Sequence, residues 1–207
     1  MSFIEPLESR IAPAGLVTAI YDPATRELTV TGDDASNVVV IYQTGPATWR
    51  VEGREDAVLI NTSINTVGDE RMEIGPISKL SVSLAGGNDQ LDLVNLRALK
   101  QLTVSTGSGA DSVETSGLVV KGNAFFDTGA GADSVDLDGL IATITGNLTA
   151  TDSADGLALN FGAARSTVNG SVAVTGSAAA DVLTMSTDTA LTIGKNITFT
   201  GNGGLDS

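Results

Sequence analysis

Leu102-Thr103-Val104-Ser105-Thr106-Gly107-Ser108-Gly109-Ala110-Asp111-Ser112-Val113-Glu114-Thr115 is the stretch on which the reading of this chain turns. Leu102 and Val104 alternate with hydroxylated residues, a glycine-rich turn follows, and alternation resumes at Val113. Period-two alternation on both sides of a turn marks two half-buried strands. The arrangement recurs. Ala85-Gly86-Gly87-Asn88-Asp89 and Gly129-Ala130-Gly131-Ala132-Asp133 match the turn at Asp111, and weaker copies set Asp155, Asp181 and Asp206 at the same point. The spacings are 22, 22, 22, 26 and 25 residues. Nine residues before each Asp stand Leu80, Leu102, Ala124, Gly146, Val172 and Ile197; seven before stand Val82, Val104, Phe126, Leu148, Val174 and Phe199. Two after come Leu91, Val113, Val135, Leu157 and Leu183, and four after come Leu93, Thr115, Leu137, Leu159 and Met185.

A unit of 22–26 residues is shorter than the roughly 30 residues of a strand with a crossover helix. It suits one coil of a parallel β-helix, two or three short strands joined by tight turns. Successive coils then stack like residues about 4.8 Å apart, and neighbours bury what one coil alone leaves wet. The fold expected is an all-β, right-handed parallel β-helix (a β-solenoid), its hand following from the general chirality of parallel crossovers. A β-sandwich is the competing arrangement; it would run adjacent segments in opposite directions and part Val104 from Val82 and Phe126.

Upstream, Leu28, Val30, Val39 and Ile41 fit the four apolar columns with Asn37 in the Asp position, whereas Trp49-Arg50-Val51 and Val58-Leu59-Ile60 read as strands with irregular links. Terminal units of solenoids are atypical because they cap the core. The organisation expected is an N-terminal segment over 1–15, an irregular cap region over 16–78 and solenoid repeats over 79–207. The final Gly201-Asn202-Gly203-Gly204-Leu205-Asp206-Ser207 starts another turn, so a natural protein that continues, or docking onto another copy, is expected there.

With 25 acidic against 11 basic residues the net charge is −14, which repels nucleic acid and anionic membranes. The absence of His and Cys removes thiol nucleophiles, disulfides and Cys/His zinc sites, and leaves hard, oxygen-ligated metals as the metals to consider. No run of 18 apolar residues is present, so no membrane insertion is expected. Glu5, Pro6 and Glu8 interrupt the region where a conventional signal peptide would lie.

The candidate chemistry lies in carboxylates. Asp89, Asp111 and Asp133 form one ladder, and Asp92, Glu114 and Asp136, three residues later and outward-facing, form a second. Carboxylates one rung apart repel, so six on one acidic face need solvent, backbone donors or a cation; Ca²⁺ would accept carboxylate and glycine-turn carbonyl oxygens. The structural alternative is that Asp caps backbone N–H groups of its turn, as Asn37 could equally do. An enzyme is not expected. Arg97, Lys100, Lys121, Arg165 and Lys195 share no column, and no long loops wall a cleft. Tyr21, Tyr42 and Trp49 fall in the cap, where packing is expected.

Two segments resemble known families. Pro6-Leu7-Glu8-Ser9-Arg10-Ile11-Ala12-Pro13-Ala14 resembles the LEPR-XLL motif of very large repetitive exoproteins of planctomycetes and related bacteria, with Ser9 in place of Pro and Ala12-Pro13 in place of the Leu pair. The turns ending at Asp89, Asp111 and Asp133 resemble the calcium-binding repeats-in-toxin motif. That family repeats every nine residues, whereas this chain has one such turn per coil. The resemblances imply an extracellular or cell-surface bacterial protein. Two functions stay open: a structural element of the adhesin, stalk or surface-layer kind, and a calcium-binding module whose acidic ladder drives folding or ligand binding. Partners expected are other copies or further repeats of the chain, with surface polysaccharide or protein as targets.

Overall fold

The computed structural model describes residues 15–53, 62–65, 71–97, 99–185 and 190–207, with the backbone alone for 71–73. The segment Pro6–Ala14 and the strand expected at Val58–Ile60 lie outside the described residues. Among those described there is no helix, and so none long and apolar enough to cross a membrane.

The chain is a parallel β-solenoid. One sheet stacks Glu27–Thr31, Lys79–Ser83, Gln101–Ser105, Ala124–Ala130, Leu148–Ala154, Val172–Thr175 and Ile197–Thr200, every neighbour parallel. The facing sheet stacks Val38–Gly45, Gln90–Val94, Ser112–Val120, Asp133–Ile144, Leu157–Phe161 and Val182–Met185, again parallel throughout. A third short side comes from the ends of the two long strands, where Leu118–Val120 pairs with Ala142–Ile144, followed by Arg165–Val168 and Ala190–Ile193. Val104 pairs with both Val82 and Phe126. That pairing excludes the sandwich.

Alternation explains which side chains are inside. In Gln101–Ser105, Leu102 and Val104 are buried while their neighbours face outward, and in Gln90–Val94 the same holds for Leu91 and Leu93. Burying one such side chain stabilises the fold by about 1.5–3 kcal/mol, and that gain exists only where the rungs on either side close over it.

One expectation is corrected: the register of one coil. Asp133 lies opposite Leu157, not Asp155; Ala124 lies opposite Leu148, and Phe126 opposite Ala150. The columns therefore run Leu102, Ala124, Leu148, Val172 and Val104, Phe126, Ala150, Val174. On the facing sheet they continue Val135, Leu159, Leu183. Gly146 and Asp155 stand in neither column. A two-residue slip keeps every inward residue inward. The extra length enters within the long strand Asp133–Ile144, where the offset to the preceding rung rises from 22 at Ser116–Asp138 to 24 at Leu118–Ala142 and Leu140 is thrown outward.

The two ends differ. The rung formed by Glu27–Thr31 and Val38–Gly45 stacks on Lys79–Ser83 and Gln90–Val94 with Leu28 on Leu80 and Ile41 on Leu93. Gly15–Asp22 then covers the first sheet's edge as an antiparallel neighbour of Glu27–Thr31. Thr48–Gly53 and Arg71–Ile74 do the same for the second. Val17, Trp49, Val51 and Ile64 are all buried there. At the other end the last rung leaves Met185 46 % and Ile197 45 % exposed, and Leu183, Leu191, Ile193 and Phe199 only partly covered.

Candidate functional site

The turn between the two sheets repeats at every rung, and its backbone is fixed by close stacking. Gly107 has φ +103°, and a Cβ there would lie 1.7 Å from the Ala85 carbonyl oxygen. Gly131 has φ +138°, and its Cβ would meet the Gly109 carbonyl oxygen at the same distance. Glycine recurs because each turn rests on the one below it, as well as because of its φ.

These turns carry the first Asp column, and it is not on a solvent face. Asp89, Asp111 and Asp133 are buried, as are Asn37 and Asp181. Each carboxylate reaches across to the preceding rung. Asp89 Oδ1 accepts the Asn37 N–H at 2.7 Å, Asp111 Oδ1 the Asp89 N–H at 2.8 Å, and Asp133 Oδ1 the Asp111 N–H at 2.8 Å. Further along, Asp181 Oδ1 accepts the Leu157 N–H at 2.9 Å and Asp206 Oδ1 the Asp181 N–H at 3.1 Å. The expected capping of backbone N–H groups is present, but it links rungs instead of closing the residue's own turn. Hydrogen bonds to charged groups contribute about 1.5–3 kcal/mol each, against the cost of taking a carboxylate out of water.

Leu157 interrupts the column. Here Asp133 N–H turns to the Gly156 carbonyl at 2.9 Å. The carboxylate comes from another position: buried Asp152 accepts the Gly156 N–H at 3.2 Å and the Ala154 N–H at 3.4 Å. Asp155, expected in the ladder, is exposed with φ +76°.

The oxygen not used for bracing is the unusual feature. Oδ2 of Asp89, Asp111, Asp133 and Asp181 is buried and has no hydrogen-bond partner. Burial pushes Asp89 up to about 7; the field of Asp111 and of Asp33 acts the same way, while the Asn37 N–H pulls against it. Burial likewise raises Asp133 to about 6, with Asp111 and Asp152 adding to the rise and the Asp111 N–H and the Thr128 hydroxyl opposing it.

The second column, Asp92, Glu114 and Asp136, is stacked in register on the outer face. Its next member is Asn160, where counting three residues on from Asp155 would put Ala158, and Asn160 Nδ2 donates to Asp136 Oδ1 at 2.6 Å. At the other end Gln90 Nε2 donates to Asp92 Oδ1 at 3.1 Å. Desolvation, then the like charges of Asp92, Asp136 and Asp138, raise the Glu114 carboxyl. The two columns are set apart, one in the turn and one on the strand face. Among the described residues no three acidic side chains converge as a set able to hold a metal ion.

A second corner escaped the sequence reading. Asn123 Oδ1 accepts the Asn147 N–H, and Asn147 Oδ1 accepts the Ser171 N–H, both at 2.9 Å and both across 24 residues. The signal was present as Gly122-Asn123, Gly146-Asn147 and Gly170-Ser171. Their spacing of 24 residues would have corrected the register of that coil.

In the cap, Trp49 is buried. Tyr42 donates to Glu52 Oε1 at 2.7 Å and accepts from Arg50 Nη1 at 2.8 Å, with Arg50 also over the Tyr42 ring at 5.4 Å. Nearby, Gln43, Thr44, Gly45, Pro46, Asn95 and Arg97 line an open groove whose one charged residue is Arg97. Compared with protein-family models, with curated proteins and with solved structures, the chain matches none.

Proposed function

We propose that this chain is a non-enzymatic structural element of a long bacterial exoprotein, of the adhesin, stalk or surface-layer type, working at the cell surface or outside the cell. The observation that carries the reading is the axial stacking: successive rungs are joined by sheet hydrogen bonds, at most steps also by an Asp brace at one corner, and over three successive coils by Asn braces at another. Buried polar side chains here span coils instead of gathering round a cleft. Such a rod sets distance and direction along one axis. The last rung, with its partly exposed apolar side chains, suits another parallel coil, supplied by the same chain or by another copy. Surface polysaccharide or protein would be the targets of the long outer faces.

The test is location and shape. Antibody labelling and protease shaving of intact source cells should reach the protein before lysis, and electron microscopy should find it in elongated particles. Labelling confined to lysed cells would refute the surface role.

The crowding that raises Glu114 favours one second reading, in which Ca²⁺ relieves the repulsion along Asp92, Glu114 and Asp136. Binding to the native state alone raises the unfolding midpoint. Thermal unfolding in EDTA and in millimolar Ca²⁺ should then differ, and the Asp92→Asn, Glu114→Gln, Asp136→Asn variant should lose the difference. Equal midpoints would retire calcium.

A further inference from the structure

We propose that the buried turn column, with its orphaned carboxyl oxygens, holds neutral, hydrogen-bond-donating acids, Asp89 and Asp133 foremost, so that the spine of the solenoid carries protons and loosens when they leave. The argument starts from Asn37, which occupies the same column one rung before Asp89. Its Nδ2 donates to the carbonyl oxygens of Ala35 at 2.7 Å and Asp33 at 3.2 Å, two and four residues back in its own turn. This position therefore calls for a donor. Gly87 and Ala85 stand at the same offsets before Asp89, and Gly131 and Gly129 before Asp133. With the side chain set as that of Asn37 is, an ionised carboxylate would turn an acceptor toward those carbonyls. A protonated Oδ2 would turn a donor, and Oδ1 would still accept the N–H of the rung below.

The surroundings add to the case. Asp89 and Asp133 are only 2 % and 4 % exposed, and Oδ2 of each has no geometric hydrogen-bond partner, although the Thr128 hydroxyl beside the Asp133 carboxyl pulls toward its ionised form. The charged groups facing Asp89 are Asp111 and Asp33, and those facing Asp133 are Asp111 and Asp152. All are acids. Burial and this field raise the two carboxyls to about 7 and about 6 from an ordinary 3.8. Because the folded chain holds these protons more tightly than the unfolded one, their contribution to stability is full below about pH 4. It falls as pH rises and is lost once the folded values are passed.

Thermal unfolding between pH 4.5 and pH 8, with carboxyl ¹³C NMR on the parent protein, tests this. The parent Tm should fall by several degrees over that range, and two aspartate carboxyl signals should titrate near pH 6–7. Asp89→Asn and Asp133→Asn supply the donor permanently, as Asn37 does. Each should flatten the slope, raise Tm at pH 8 and remove one high-titrating signal. Asp155→Asn, which changes net charge equally from an exposed position, should follow the parent. Titration of every aspartate near pH 4 would overturn the proposal, with or without foldable variants. So would Asn variants whose slopes match the parent. Millimolar CaCl₂ lifting the parent alone at pH 8 would also overturn it, by giving the orphan oxygens a cation instead of a proton.

Discussion

The two-residue shift of one coil can be read directly by crosslinking. Asp136 lies opposite Asn160 in adjacent parallel strands, so their Cα atoms are separated by the rung spacing of about 4.8 Å, inside the range of about 4.4–6.8 Å that a disulfide spans. Ala158 is two residues back along the same strand, about 6.6 Å at the usual rise, which puts it about 8 Å from Asp136. The chain has no native Cys, so engineered thiols report alone. Asp136→Cys with Asn160→Cys should oxidise fully in air or with mild oxidant. Asp136→Cys with Ala158→Cys should stay reduced. Closing a loop across 24 residues contributes about 3 kcal/mol. Losing the hydrogen bond from Asn160 to Asp136 removes about 1 kcal/mol. The net gain of about 2 kcal/mol corresponds to a Tm rise of about 4–8 °C for a domain of this size. Thiol titration and intact mass under non-reducing conditions give the yield, and melting with and without reductant gives the energy. Closure of the 136–158 pair in preference to 136–160 would refute the register and the columns built on it.

Three further outcomes follow from single contacts. Thr115 is buried in an apolar column and its hydroxyl has no partner, so Thr115→Val should stabilise by about 1 kcal/mol in urea unfolding; destabilisation would mean that the hydroxyl has a hidden acceptor. Gly131→Ala should cost about 3 kcal/mol or more, because both φ +138° and the Gly109 carbonyl 1.7 Å from the new Cβ oppose it. A loss under 1 kcal/mol would show that the turns do not rest on one another. Asn147→Ala removes the acceptor of the Ser171 N–H and should cost about 1 kcal/mol by the same urea assay, with hydrogen exchange at Ser171 quickened; unchanged exchange there would discount the second corner as a brace.

What the sequence determined by itself was parity. Alternation in Leu102–Ser105 and Ser112–Thr115, repeated at solenoid spacing, fixed which residues face inward and therefore the strands, the turns and the parallel stack. It also placed Asp89, Asp111 and Asp133 in one column, and Asp92, Glu114 and Asp136 in another, because those coils share a strict repeat of 22 residues. Alternation left register in the longer coil open, and the one sequence signal that bears on it is the 24-residue spacing of the Gly-Asn corner. A pattern of period two reads the same after a slip of two, so Leu157 and Leu159 are interchangeable on paper, and only the packing of Ala150 against Phe126 and the bonded Gly-Asn corner choose between them. The fate of the Asp column was equally hidden. Glycine and aspartate in a turn suggest exposure, but whether a carboxylate meets water or the N–H of another rung depends on how closely the turns stack, and that distance is a property of the assembled solenoid.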